Sequence, residues 1–405
     1  MYHPFSFGVV ALAAAAEGLC EMVWVVDSSM ADVELMTNLL RRLGRVVDVR
    51  GLSEAQAAER IAQERPDGIL ALADSLLLWT ARVAALLGLP FHSPEVAARL
   101  TDKYLQRTAL AAAGLPGPAF RALGEQTDDA AWEALGGEIG FPALLKPRHG
   151  DGSRDIVAAA SPEEARAQAA ALGPHEGGLL IEEYLPGRRA DAGADFAGYV
   201  SVESIVSAGR VSHLATTGRT PPAEPFRESG FFVPSALEGA ELASVFAAAS
   251  EAIAAIGVTI GGLHTEIKLT PQGPRVIELN GRVGGGTPAM LAAVTGVDEL
   301  PLTMRIALGE AVAFERPLAC RAVSYVLYRH APASMRRVLA VEGLERLREE
   351  EGVEQVILNR GPGQRVDWRE GNWGHVFSVH GTVPDHERLR AFVRRIAAET
   401  RIVGE

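Results

Sequence analysis

The stretch HTEIKLTPQGPRVIELNGRVGGG, residues 264–286, restricts this chain more than any other. Two runs with period-two alternation, 264–269 and 275–279, flank the turn PQGP, which predicts an antiparallel hairpin. Side chains two apart share one face of a strand. Glu278 and Asn280 therefore lie on one side, and strand pairing can bring Glu266 to them. Three hard oxygen donors suit Mg²⁺ carrying phosphate groups. Arg282, two residues further, can fork onto a carboxylate or a phosphate. Glycines 284–286 then let the backbone approach an anion closely. Two glutamates on strands are more often simply solvent-facing. The alternation 278–280–282 running into three glycines is what points to a site.

The first 95 residues have a different rhythm. MVWVVD (22–27), RVVDV (45–49) and DGILAL (67–72) read as strands. Residues 31–43, 53–64 and 75–87 read as helices, the second opened by a Ser53–Gln56 capping box. This βαβα order predicts a parallel sheet covered by helices. No GxGxxG occurs there, so nucleotide binding is not indicated in that unit. The start, MYHPFSFGVVALAAAAEG, superficially resembles a secretion signal. It lacks a Lys/Arg n-region and a clear processing site, so a first strand and helix are expected instead.

Further along, 101–117 predicts a helix carrying Lys103, followed by a Gly/Pro turn. FPALLKP (141–147) predicts a strand that delivers Lys146 into the polar loop HGDGSRD (149–155). A helix is expected at 161–172, a strand at 178–187, a hairpin from 199–206 and 210–217, and a helix at 238–257. Beyond about 310 come VSYVLY, VEQVIL, GHVFSVHG and a last helix near 385–398. The acidic LERLREEEG (344–352) reads as a solvated helix face.

With 405 residues, 48% of them hydrophobic and 22% charged, the chain can fill two or three cores. A net charge of −12 disfavours nucleic acid as a partner. No 18-residue apolar stretch reads as a membrane span. Cys20 and Cys320 are far apart and form no CxxC, which suits the reduced thiols of a cytoplasmic protein.

Single features leave alternatives open. Lys103 alone is an ordinary solvated helix residue. Lys146 at a strand exit can neutralise a phosphate, with Gly150, Gly152 and Ser153 as an amide-rich cover, but a surface turn explains it equally well. Glu182-Glu183-Tyr184-Leu185 fits main-chain recognition of an adenine, or an exposed edge strand.

Taken in order, DKYLQR, FPALLKP, the glycine loop, LLIEEYLPG, YVSVES, HTEIKL and VIELNGR resemble the ATP-grasp superfamily over nearly the whole chain. The resemblance implies an α/β and α+β protein. An N-terminal doubly wound parallel-sheet domain (1–95) would precede an ATP-grasp body (96–310), with a lid subdomain at about 118–187 and a C-terminal α+β subdomain at 311–405. It implies ATP and Mg²⁺, with Mn²⁺ as a substitute. Lys103 and Lys146 resemble the phosphate-contacting lysines, and Ser153 belongs to a mobile phosphate lid (149–154). Glu182, Glu183 and Leu185 resemble the adenine hinge, acting mainly through backbone groups. Glu266, Glu278 and Asn280 resemble the metal ligands. Arg282, Lys146 and the Gly285 amide resemble the groups around an acyl phosphate. An acidic ribose contact often follows the hinge glycine. Arg188 and Arg189 stand there instead, leaving Asp191, Asp195 or Glu203 for that role.

The activity implied is ATP-dependent carboxylate–amine ligation through an acyl phosphate, releasing ADP and phosphate. FRESGFFVPSAL (226–237) and the chain length look most like L-amino-acid ligases, which make dipeptides. The substrates implied are an amino acid or another small carboxylic acid plus an amine, with Arg227 and Glu228 as a clamp or a structural pair. His264 either lines the site or is structural. A carboxylase or purine-pathway-type ligase is the alternative enzyme, and an ATP-binding regulatory protein the non-catalytic one. A homodimer through the N-terminal unit follows only by family analogy.

Overall fold

The computed structural model describes residues 1–405 apart from 5, 31, 125, 126 and 188–195. The front unit comprises α1 (Val9–Ala16), β1 (Val23–Val26), α2 (Val33–Leu43), β2 (Arg45–Asp48), α3 (Glu54–Ala62) and α4 (Asp74–Leu87). β1 and β2 pair in parallel, Val23 opposite Arg45 through Val26 opposite Asp48, with α2 as the crossover. Ser53 opens α3 with the expected reciprocal capping box.

Two details differ from expectation. α1 follows no strand, and 67–72 forms no strand. The apolar run at 67–72 still buries Ile69 and Ala71. However, Tyr2 N–H donates to Val25 O at 2.9 Å, and the Met1 ammonium donates to Leu70 O at 2.5 Å. The first residues thus take the hydrogen bonds that a third strand beside β1 would make.

The helix expected within 101–117 is α6 (Lys103–Ala112), with the Gly/Pro turn after it, and a further helix, α5 (Pro94–Thr101), comes before it. Asp102 separates them. It leaves helical geometry, and its carboxylate accepts from Tyr104 and Leu105 N–H as an N-cap. Gln106 ties α6 to the sheet below, its amide bonding both Leu279 N–H (2.8 Å) and Leu279 O (2.9 Å).

Next come β3 (Phe120–Leu123), α7 (Asp129–Glu138), β4 (Ala143–Pro147), β5 (Val157–Ala159), α8 (Pro162–Leu172) and β6 (Leu179–Glu183). Their strands form an antiparallel sheet in the order β3–β6–β4–β5. The remaining strands are β7 (Tyr199–Ser207), β8 (Arg210–Arg219), β9 (Gly230–Val233), β10 (Gly261–Thr270), β11 (Gly273–Asn280), β12 (Val323–His330), β13 (Val338–Glu342), β14 (Val353–Leu358), β15 (His375–Val383) and β16 (Arg401–Gly404). β13 and β16 pair with each other. The rest form one eight-stranded sheet, β11–β10–β7–β8–β9–β12–β15–β14. Residues beyond 310 therefore extend the central sheet, with Ser324 of β12 opposite Val233 of β9.

The helices of this part are α9 (Gly239–Ile256), α10 (Thr287–Thr295), α11 (Glu299–Ala307), α12 (Leu344–Arg348) and α13 (His386–Glu399). α9 is long and apolar enough to cross a membrane, at a mean hydropathy of 1.4. Its Val245, Ala249, Ala252, Ile253 and Ile256 are buried in one core with Leu263, Ile267 and Leu279 of the sheet. α12 buries Leu344 and Leu347 and exposes Glu345 and Glu349, as its pattern predicts. Cys20 and Cys320 are both free thiols.

Candidate active site

A cavity of about 1060 Å³ opens between the four-stranded sheet, the β10–β11 hairpin, the start of α4 and the strands after β12. That volume is at the upper end for small-molecule sites. The hairpin forms its acidic wall. Glu266 lies directly opposite Glu278, and His264 opposite Asn280. Like charges in that relation repel, so the arrangement calls for a cation. Lys103, the first residue of α6, supplies one: its Nζ lies 2.9 Å from Glu278 Oε1 and donates to Gly150 O at 2.8 Å. Burial alone would lower the Lys103 pKa; Glu278 overrides it, and the net shift is upward.

Asn280 lines the cavity, and its Nδ2 donates to His264 O at 3.3 Å, so that Oδ1 is the acceptor the side chain has left to offer. Among the described residues, no group of three or more His, Cys, Asp or Glu is placed to cage a metal. Two carboxylates and an amide oxygen are nevertheless the donor set Mg²⁺ uses when phosphate oxygens and waters complete its shell. The residues present fit that ion.

Opposite the hairpin, β4 and β6 form the cationic wall. Glu182 is buried between two cations, Arg107 with Nε at 2.9 Å and the Lys146 ammonium. Glu182, expected to act mainly through its backbone at a hinge, thus also uses its carboxylate as the counter-charge for two cations. Burial would raise its pKa, but Arg107 and then Lys146 pull it to about 2. Lys146 moves the other way. Burial and then the neighbouring Arg107 charge lower it despite Glu182. One buried anion shared by two cations leaves an excess of positive charge, which suits a polyphosphate.

Glu182→Gln should strand both cations, costing about 3–5 kcal/mol, read from denaturant unfolding. The folded pKa lies below the ordinary 4.5. The carboxylate's stabilisation is thus complete above about pH 4.5 and fades as pH falls towards 2. Equal stability of wild type and variant at pH 7 would count against this pairing.

β6 ends at Glu183. Glu183 N–H donates to Ala119 O and Tyr184 N–H to Pro142 O, so Leu185 is the first residue beyond these bonds and lines the cavity. Gly150, Gly152 and Ser153 also line it. Arg282 is held from the front unit: its Nε and Nη2 lie 2.8 and 2.7 Å from Asp74 Oδ2. Gly284 must be glycine, because a Cβ would come within 2.6 Å of His264 Nδ1 and of Thr287 Oγ1. Gly285 lines the cavity, and a Cβ there would meet nothing. Gly286, with φ at 78°, leads into α10, whose first turn lines the same space without a side-chain cap.

His264 belongs to the site. Its Nδ1 is 2.8 Å from Glu203 Oε2, and its Nε2 is 3.6 Å from Glu266 Oε1. Burial would lower the imidazole pKa; Glu203 overrides it and raises it to about 9. Glu203 itself is corrected. It is fully buried and accepts from Ser201, Thr217 and His264, so it lies behind the wall and not at a ribose position. Arg188, Arg189, Asp191 and Asp195 lie outside the described residues. Of the two readings offered for Arg227 the structural one fits, though not as a pair with Glu228: its guanidinium donates to Glu224 O and Ala331 O. Glu228 does face the cavity, paired at 2.6 Å with Arg219 Nε. Arg219 stacks over the Tyr199 and Phe231 rings.

Asp74, Arg107, Arg219 and Lys268 had gone unnoticed. Arg107 follows Lys103 by one helical turn, and Lys268 continues the alternation 264–266–268, so spacing could have found both. Lys268 stands over the Tyr184 and Tyr199 rings at 5.9 and 5.7 Å.

The fold that carries this cavity is matched in solved proteins. The L-amino acid ligase from Bacillus licheniformis superposes with a TM-score of 0.77, covering 98% of this chain and 95% of that one at 19% identity. The chain shares the fold of that ligase. The biotin carboxylase domain of a Hydrogenobacter thermophilus 2-oxoglutarate carboxylase, solved with MgADP and bicarbonate, gives a TM-score of 0.68. It covers 98% of this chain and 88% of that one at 18% identity. No family model matches the chain. In sequence, it is 24% identical over 370 residues to the uncharacterized protein y4rH of Sinorhizobium fredii, covering 89% of this chain and 70% of that protein. It is 29% identical over 267 residues to carnosine synthase 1 of Gallus gallus. That match covers 60% of this chain but only 27% of the chicken protein's length.

Proposed function

We propose that this chain is an ATP-dependent carboxylate–amine ligase of the ATP-grasp type that activates an amino acid as its acyl phosphate and passes it to an amine. The observation that carries this reading is the pairing of Glu266 and Glu278 opposite Lys103, Lys146 and Arg282 in one cavity. Lys103 and Lys146 take the phosphates, and the Leu185 backbone meets the base. Glu266, Glu278 and Asn280 would hold Mg²⁺, which neutralises charge on the phosphate oxygens. A substrate carboxylate oxygen attacks the γ-phosphorus and ADP leaves. The amine then attacks the acyl carbon, phosphate leaves, and the nitrogen gives up a proton.

Arg282, held by Asp74, orients the carboxylate. The uncapped amides at the start of α10 face the developing oxyanion. Arg219 and Glu228 offer a zwitterionic substrate one charge of each sign. The loop 149–154 keeps water from the acyl phosphate.

Purified protein with ATP, screened against pairs of amino acids, should release ADP only with Mg²⁺ and an added amino acid, with the amide detected by mass. Bicarbonate-dependent ADP release would favour a carboxylase. Nucleotide binding without acid-dependent turnover would favour a regulatory protein.

A further inference from the structure

The phosphate-covering loop is fastened at two points. Gly150 O accepts from Lys103 on the body. Gly152 O accepts from Asn372 N–H at 3.0 Å, in the short 3₁₀ segment Trp368–Gly374. The fit there is close. Gly371 has φ 62° and ψ −135°, and a Cβ on it would collide with Gly152 O. A Cβ on Gly152 would come within 2.8 Å of Trp373 Nε1.

The same Asn372 faces the substrate half of the cavity. Its side-chain Oδ1 accepts from Glu228 N–H at 2.7 Å, and its carbonyl lies 3.0 Å from His375 Nδ1. Glu228 O is bonded in turn by His330 Nε2 at 2.8 Å, and its carboxylate pairs with Arg219. Asn372 is thus the one residue, among those described, bonded to both Gly152 and Glu228. Backbone and side chain perform the two tasks separately.

We propose that Asn372 is a positioning residue that couples closure of the 149–154 loop to the Arg219–Glu228 pair, so that the pair is set for substrate only when the loop is docked. The inference rests on the ligase reading for the identity of the substrate, but not for the latch. Removing Oδ1 frees the Glu228 backbone and loosens the substrate contact while leaving the phosphate lysines untouched. Disturbing Gly371 releases the loop from the other side.

Two measurements test it. In Asn372→Ala the KM for the carboxylate substrate should rise about tenfold, the effect of one lost hydrogen bond, with the KM for ATP unchanged. Asn372→Asp keeps an acceptor for Glu228 N–H and should restore most of the loss. An unchanged substrate KM in Asn372→Ala, or equal loss in both variants, overturns the positioning role. Separately, trypsin should cut after the exposed Arg154 faster in Gly371→Ala than in wild type, by about tenfold if the docked state loses one hydrogen bond. Equal cleavage rates overturn the latch. Wild-type protein inactive on every acid and amine sinks the ligase reading instead, and the cleavage comparison still decides the latch.

Discussion

Replacing Glu278 with alanine is expected to lower Mg²⁺-dependent kcat by about 10²–10³-fold, the usual cost of removing one group that stabilises charge in the transition state. Glu278 stands opposite Glu266 and accepts the Lys103 ammonium, so its loss removes one oxygen donor and leaves a lysine without its carboxylate. The side chain is 23% exposed, and among the described residues its ion pair is with Lys103 alone. The melting temperature should therefore stay within a few degrees, since surface changes cost within about 0.5 kcal/mol. ADP binding measured without metal should be preserved, because Lys146 and the hinge are unaltered. Raising Mg²⁺ should recover part of the rate in Glu278→Asp but not in Glu278→Ala. Wild-type turnover in Glu278→Ala would remove the residue from the metal site.

The acidic hairpin is legible because its information is local. Period-two alternation, a Pro/Gly turn and three glycines place Glu266, Glu278 and Asn280 together without any distant contact, and β10 and β11 pair in that register. The same logic fails for Glu203. The pattern YVSVES alternates like a strand with one solvated face, yet β7 is the third strand of eight. Its polar side chains are spent on one another and on His264. Glu182 shows a different limit. A pair of acids in an apolar strand signals an exception, but not whether side chain or backbone is used. The answer lies in Arg107, which reaches Glu182 from α6 while donating to Val276 O and Ile277 O of β11. Asp74, Arg219 and Asn372 carry no local signal. Each acquires its role from a partner remote in sequence or from an irregular segment, and only the closed topology brings the two together.

Asp74 yields the second large effect. It opens α4 in the front unit, 208 residues before Arg282, and its Oδ2 receives both Nε and Nη2 of that guanidinium. Val283 O takes Nη1 at 3.0 Å. The guanidinium plane is thereby fixed before any ligand arrives, and pre-oriented charge is what a transition state rewards. Arg282→Ala should cost about 10³-fold in kcat if the guanidinium holds the substrate carboxylate as it reacts. Asp74→Ala should cost about 10²-fold, because the arginine remains but swings free. The pair is separable from a merely structural contact between the units by a double-mutant cycle. If Asp74 acts through Arg282, the double variant should be no slower than Arg282→Ala, since the second substitution has nothing left to orient. The KM for ATP should hold in all three, because neither residue belongs to the base or phosphate contacts. Additive losses in kcat, or a KM for ATP that rises with Asp74→Ala, would show that Asp74 supports the nucleotide cleft as a whole and not the orientation of Arg282.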